Sequence, residues 1–211
     1  MLELNELTPH LMDRFIAEGR LPGFKQLRSQ SICAITDAAE EEGVVLNPWI
    51  QWVTVHTGHQ YSRHKVFHLS DGPNYKAPRI WDMVDKAAGK FWLCGSMNIA
   101  LESDTTKGFA LPDPWATDIN PFPDRVFQDY YRLVSTYVRE YASDKPRLTK
   151  ADYLKFARFM LLNGLSVKTV LAAARQLVTE GAAVKWGRAT KLDRLQWDVL
   201  KKLHRRTRPT L

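Results

Sequence analysis

Between Asn47 and Gly72 the chain sets His56, His64 and His68 among Trp49, Trp52 and Phe67, with the hydroxyls of Thr54 and Thr57 and a Thr57-Gly58 pair between them. Imidazoles, hydroxyls and rings this close together are the raw material of an active site. His64 and His68, four residues apart, can share a helical face and so could ligate a metal. The eight-residue step from His56 to His64 breaks that spacing, which favours structural or hydrogen-bonding imidazoles over a metal cluster. Gln51, between Trp49 and Trp52, is the better candidate for a polar substrate contact. Asn98 follows the apolar run Phe91–Cys94 and falls where open α/β folds bind ligands, at a strand's carboxyl end; a loop-capping amide fits that position equally well. Trp49, Trp52, Trp81, Trp92 and Trp115 could stack on a base or sugar, but tryptophans at helical spacing more often build core.

The elements that must position these residues are legible from periodicity and punctuation. Leu2-Glu3-Leu4-Asn5-Glu6-Leu7 alternates at period two, as a short strand does. Thr8-Pro9 opens a helix carrying Leu11, Phe15 and Ile16 and stopped at Gly19. Pro22 starts a second short helix with Phe24 and Leu27. Ser31 to Thr36 reads as a second strand, and Asp37 to Gly43 as an acidic surface loop. Asn47-Pro48 places proline at the first position of the helix that bears the aromatic segment. Arg79 to Ala88 is amphipathic and stopped by Gly89, and Phe91 to Cys94 is a short apolar strand of the kind buried in parallel sheets. From Asp124 onward only helices are predicted: Asp124 to Tyr141, Lys150 to Leu162, Ser166 to Glu180 and Thr190 to Arg206. The expected fold is therefore α/β over residues 1–120, a parallel sheet with flanking helices, followed by a mainly helical region over residues 121–211.

Composition sets outer limits. The 211 residues are 45% hydrophobic and 25% charged, the balance of a globular chain and not a disordered one. No run of eighteen apolar residues and no basic-then-apolar leader is visible, so the expectation is a cytoplasmic chain with no membrane span. Cys33 and Cys94 sit in apolar, strand-like contexts and are expected to be free, buried thiols. The net charge of +7 belongs to the tail: after residue 184, Lys185, Arg188, Lys191, Arg194, Lys201, Lys202, Arg205, Arg206 and Arg208 face only Asp193 and Asp198. Such a run can attract nucleic acid, but a solvated helical face is the preferred reading.

The opening Leu2–Leu7 segment, the Leu21-Pro22-Gly23-Phe24 helix entry, Thr57-Gly58 and His64-Lys65-Val66 together resemble the N-terminal portion of the alkaline phosphatase superfamily, in its type I phosphodiesterase/nucleotide pyrophosphatase branch. The resemblance covers residues 1 to about 100 and, more loosely, 190–209, where Trp197-Asp198 and Arg208-Pro209 echo a helix that leads into a central strand. It implies an alkaline-phosphatase-like half-domain with a helical insertion, and two divalent ions, zinc or manganese, at the carboxyl edge of the sheet. The first metal ligand falls on Asn5, which brings no charge. Its neighbour Glu6, or Glu3 on the same face as Asn5, could substitute. The nucleophile's place falls on Pro48, which cannot attack phosphorus. Thr54 and Thr57 are the nearest hydroxyls, one or two helical turns away. A shifted nucleophile, a metal-activated water and lost catalysis all remain open. Lys65 stands where the branch prefers glycine.

The function implied is that of an N-terminal fragment of a phosphodiesterase-like hydrolase for small phosphorylated substrates, inactive or nearly so without a partner that supplies the missing C-terminal half. The alternative is a non-catalytic module of degenerate phosphatase fold that binds phosphate or a sugar phosphate.

Overall fold

The computed structural model describes residues 1, 3–5, 7–36, 47–101, 108–115, 119–141, 148–181 and 186–210. Among the described residues helices dominate, around a sheet of two parallel strands. The first helices follow their proline signals: α1 spans Pro9–Ala17 and α2 spans Pro22–Ser29, each with proline in its first turn. Gly19, at φ 72°, takes the left-handed conformation that ends α1. α3 (Pro48–Thr57) ends the same way on Gly58, at φ 71°. A single turn, α4 (Tyr61–His64), and a 3₁₀ turn at Gly72–Asn74 lead to α5 (Ile80–Lys86). There the Asp82 carboxylate accepts the Arg79 N–H at 2.7 Å, closing a capping box.

β1 (Phe91–Cys94) pairs in parallel with β2 (Gly108–Leu111), Phe91 opposite Gly108 and Cys94 opposite Leu111. Beyond them come α6 (Asp124–Tyr141), α7 (Lys150–Asn163), α8 (Val167–Glu180) and α9 (Trp186–Thr207). These four agree with the periodicity to within a few residues. None of the described helices is long and apolar enough to cross a membrane.

Side chains alternate across the two strands and so build two cores. On one face Trp92 and Leu111 pack with Phe127, Tyr130 and Tyr131 of α6, Phe159 of α7, and Val199 and Leu203 of α9. On the other, Phe91, Leu93 and Ala110 pack with Trp81 of α5, Ile99 and Ile119. The helical region beyond Asp124 is therefore one of the layers that covers the sheet. Apolar burial of this kind is worth about 25 cal/mol per Å².

Three expectations are corrected. Glu3, Leu4, Asn5 and Leu7 lie in no strand; Leu7 N–H instead reaches the Leu4 carbonyl at 3.5 Å. Ser31 to Thr36 is not a strand either, and Ile32 and Ile35 are almost fully exposed. Period-two alternation makes a strand only when a neighbour completes its ladder, and among the described residues neither segment has one. Cys33 is consequently exposed rather than buried. Cys94 is free as expected but half-buried as a residue; desolvation pushes its thiol up to about 12, against a 3.5 Å contact from Gln196 Nε2. The acidic stretch 37–43 lies outside the described residues.

Gly108 faces the Phe91 ring so closely that a Cβ built there would lie 2.3 Å from ring carbons. Gly108→Ala should therefore force the two strands apart and cost about 1–3 kcal/mol. Thermal unfolding followed by circular dichroism should show a lower midpoint; an unchanged midpoint would mean that the strand contact is looser than described.

Candidate functional site

The chain's opening residues are tied to α3 by side chains. Trp52 Nε1–H donates to Asn5 Oδ1 at 3.1 Å, and His56 Nε2–H donates to Glu3 Oε1 at 3.0 Å. Ser96, two residues past β1, donates its hydroxyl to Glu3 Oε2 at 2.8 Å. Asp113, two residues past β2, donates its N–H to the Ser96 carbonyl at 3.4 Å. Glu3, Asn5, Trp52, His56, Ser96 and Asp113 thus gather at the carboxyl ends of both parallel strands, the rim at which α/β sheets bind ligands.

His56 is buried between two indoles. Trp52 stacks on it at 6.1 Å and Trp81 meets it edge-on at 4.9 Å. Among the described residues its buried Nδ1 has no hydrogen-bond partner. Burial pushes the Glu3 carboxyl up, but the bond and charge of His56, the Ser96 hydroxyl and the N-terminal ammonium outweigh it and hold Glu3 below its ordinary value. Burial lifts Asp113 to about 6, with the Trp115 N–H pulling the other way from 2.8 Å. A buried carboxyl poised near neutrality at a strand's carboxyl end has the character of a functional group. Sequence reasoning passed over it; the signal was Asp113 in Pro112-Asp113-Pro114, directly after the apolar Gly108–Leu111.

The hydroxyls named from the sequence are held rather than activated. Val66 N–H donates to His64 Nδ1 at 3.0 Å, so the neutral ring keeps its proton on Nε2 and donates it to Thr54 Oγ1 at 3.2 Å. Burial, with His59 and Lys65 nearby, lowers the His64 pKa and favours that neutral form. Thr57 donates to the Val53 carbonyl at 2.7 Å and accepts the His59 N–H, which caps the end of α3. His59, absent from the spacing argument, lies 2.7 Å from the Tyr75 hydroxyl. His68 is exposed, and its N–H donates to Asp71.

Asn98 is buried at φ 50° and joins two segments, accepting the Gly72 N–H at 3.1 Å and donating to the Trp49 carbonyl at 2.9 Å. That is the loop-capping role. Gln51 is half-buried on α3. Trp49 and Trp81 donate their indole N–H groups to the carbonyls of Phe67 and Ala100.

Among the described residues the expected metal donors are already engaged. Both Glu3 oxygens and Asn5 Oδ1 already accept hydrogen bonds, and among the described residues no three His, Cys, Asp or Glu side chains come together as ligands. Glu6 lies outside the described residues.

Compared with protein-family models, with curated proteins and with solved structures, the chain matches none.

Asp113 is the rim residue whose ionisation opposes folding. Its folded pKa of about 6 lies above the ordinary 3.8, so its favourable contribution is complete below about pH 4 and is lost as the pH rises through 6. Asp113→Asn should therefore stabilise the chain on the order of 2 kcal/mol at pH 7.5 and leave it unchanged near pH 4. Urea unfolding at the two pH values checks this; equal effects at both would show that Asp113 ionises freely.

Proposed function

We propose that this chain is the N-terminal part of a phosphodiesterase- or nucleotide-pyrophosphatase-like phosphoester hydrolase and is catalytically silent by itself. The observation that supports the reading is the double anchorage of Glu3 and Asn5 on α3, which brings the place of the expected acidic ligand and the Thr57-Gly58 helix to one rim of a parallel sheet. The reading takes the sheet and its helices as the remnant of an alkaline-phosphatase-like half-domain. Zinc or manganese would bind there only weakly from this chain alone, and tightly only with donors from elsewhere, such as a missing C-terminal half, because Asn5 brings no charge and Glu3 is committed to His56 and Ser96.

Assayed with bis-(p-nitrophenyl) phosphate and either metal, the purified chain should give no turnover above buffer. Metal-dependent turnover that disappears in Asn5→Ala would overturn its silence. A manganese titration followed at the Trp52 indole resonance tests the rim separately. Broadening there at about millimolar metal, the range of weak carboxylate sites, supports the reading; broadening confined to other residues overturns it.

A second reading, a phosphate- or sugar-phosphate-binding module, is favoured by a separate observation. Gly164, Ser166, Asp198, Lys201, Lys202, Arg205 and Arg206 line an open cleft of about 440 Å³. Its carboxylate is committed: Asp198 accepts the Ser166 N–H at 3.0 Å and pairs with Lys201 at 2.9 Å. Burial opposes ionisation of Asp198, but its bonds to Thr169, Ser166 and Lys201 bring its pKa down to about 2. The cleft keeps a clear cationic excess, suited to a phosphoryl group. Calorimetric titration with a nucleoside monophosphate and with a hexose phosphate should give heat that falls about tenfold or more in affinity when Arg205 and Arg206 are both changed to Ala, a loss of two charge-assisted contacts. The absence of heat in the parent chain would remove this reading.

A further inference from the structure

The apolar side of α9 is used in the core, and a second side of different composition stays in the solvent. Val199 and Leu203 are buried, with Leu192, Leu195 and Leu200 packed beside them in the cluster shared with α6 and α7. At 3.6 residues per turn, Arg194, Trp197, Lys201, His204 and Arg205 fall within about 100° of arc on the opposite side. Arg208 continues that line, because its N–H donates to the His204 carbonyl at 2.9 Å and prolongs the last turn. From Arg194 to Arg208 the stripe runs about 21 Å.

A tryptophan stands within this stripe. Trp197 is 54% exposed, the most of any tryptophan among the described residues. Among those residues its indole N–H has no hydrogen-bond partner, and no ring or cation stacks on it. The charge around it is of one sign. Asp198 is buried and pairs with Lys201 at 2.9 Å. Asp193, the other carboxylate of the helix, is exposed but lies on the flank toward α6, where its charge, after burial and Cys94, pushes the Tyr130 hydroxyl up. Arg194, Arg205 and Arg208 are exposed, and among the described residues none of them forms an ion pair. A basic run alone is a solvated face. An exposed indole set among guanidinium groups is the combination that holds unpaired bases and their phosphates.

We propose that the exposed side of α9 binds single-stranded nucleic acid, with a base stacked on Trp197 and backbone phosphates on Arg194, Arg205 and Arg208. The length of the stripe suits about four nucleotides, the short end of single-strand sites. A duplex keeps its bases stacked inside and gives Trp197 nothing to hold. An acidic peptide would satisfy the arginines, but its carboxylates offer the indole no ring. A membrane surface calls for a free apolar face, and that of α9 is packed in the core. The stripe shares Lys201 and Arg205 with the cleft described above, yet it rests on neither the phosphoester nor the sugar-phosphate reading. Arg194 lies about 16 Å along the helix from Arg205, too far to touch one phosphoryl group held in that cleft.

Fluorescence anisotropy of a labelled oligothymidylate of about twelve nucleotides, within the range of single-strand site sizes, titrated with the full chain, tests the proposal. With three phosphates neutralised, log K should fall against log salt with a slope of about −2, an affinity loss of about twentyfold between roughly 50 and 200 mM. Trp197→Ala should weaken binding about tenfold or more and leave that slope unchanged, since a stacked ring releases no counterion; Trp197→Phe should keep most of the affinity. Arg194→Ala should reduce the slope by about 0.7 and leave the calorimetric titration of a nucleoside monophosphate as it was, which separates this surface from the cleft. The oligonucleotide result stands even where the monophosphate gives no heat. The replaced side chains are exposed, so circular dichroism should show the fold retained. No binding at about 50 mM salt, a duplex of the same length bound as tightly or more so, a Trp197→Ala affinity equal to the parent's, or a polyglutamate peptide that binds as tightly and displaces the oligonucleotide would each overturn the proposal.

Discussion

A parallel pair of four-residue strands cannot stand in water, and most of this molecule consists of what that pair requires. Both faces of β1 and β2 must be covered, because each strand alternates large apolar groups to either side. α5 and the Ile99 and Ile119 loops cover one face. The other takes the long helices, with Phe127 stacked on Trp92 at 5.5 Å. Covering the faces leaves only the strand ends for polar chemistry, and that is where Glu3, His56, Ser96 and Asp113 meet. The position of the candidate site is thus set by packing before any catalytic requirement is considered.

The rim shows how a side-chain constellation can look reactive in sequence and be structural in space. Threonine and histidine close together suggest a hydroxyl and its base. The direction of one main-chain bond, Val66 to His64 Nδ1, decides otherwise, because it fixes which nitrogen holds the proton. Glu3 likewise looks available until both of its oxygens are found in use. Asp113 keeps the freer carboxyl, and burial rather than any charged partner sets its affinity for a proton.

Helices were legible because their signals are local. Proline at the first turn of α1, α2 and α3 and glycine after α1 and α3 act within a few residues. β1 was legible as a short apolar run. β2 was not named, and two segments that alternate as strands do are not strands, since pairing depends on residues far away in the chain. The site shows the same division. The α3 segment announced itself by composition, whereas Glu3 meeting His56 across 53 positions and Ser96 across 93 had no local trace.

Arg79 holds the loop before α5 from within. Its buried guanidinium binds the carbonyls of Gly72, Tyr75 and Ala77, and an arginine stays protonated at any attainable pH. Acid that neutralises Glu3 will slacken the grip on the start of the chain and leave this knot as tight as before. The start of the chain and the loop before α5 are thereby moored by different forces, one that acid below the ordinary carboxylate range can cast off and one that it cannot.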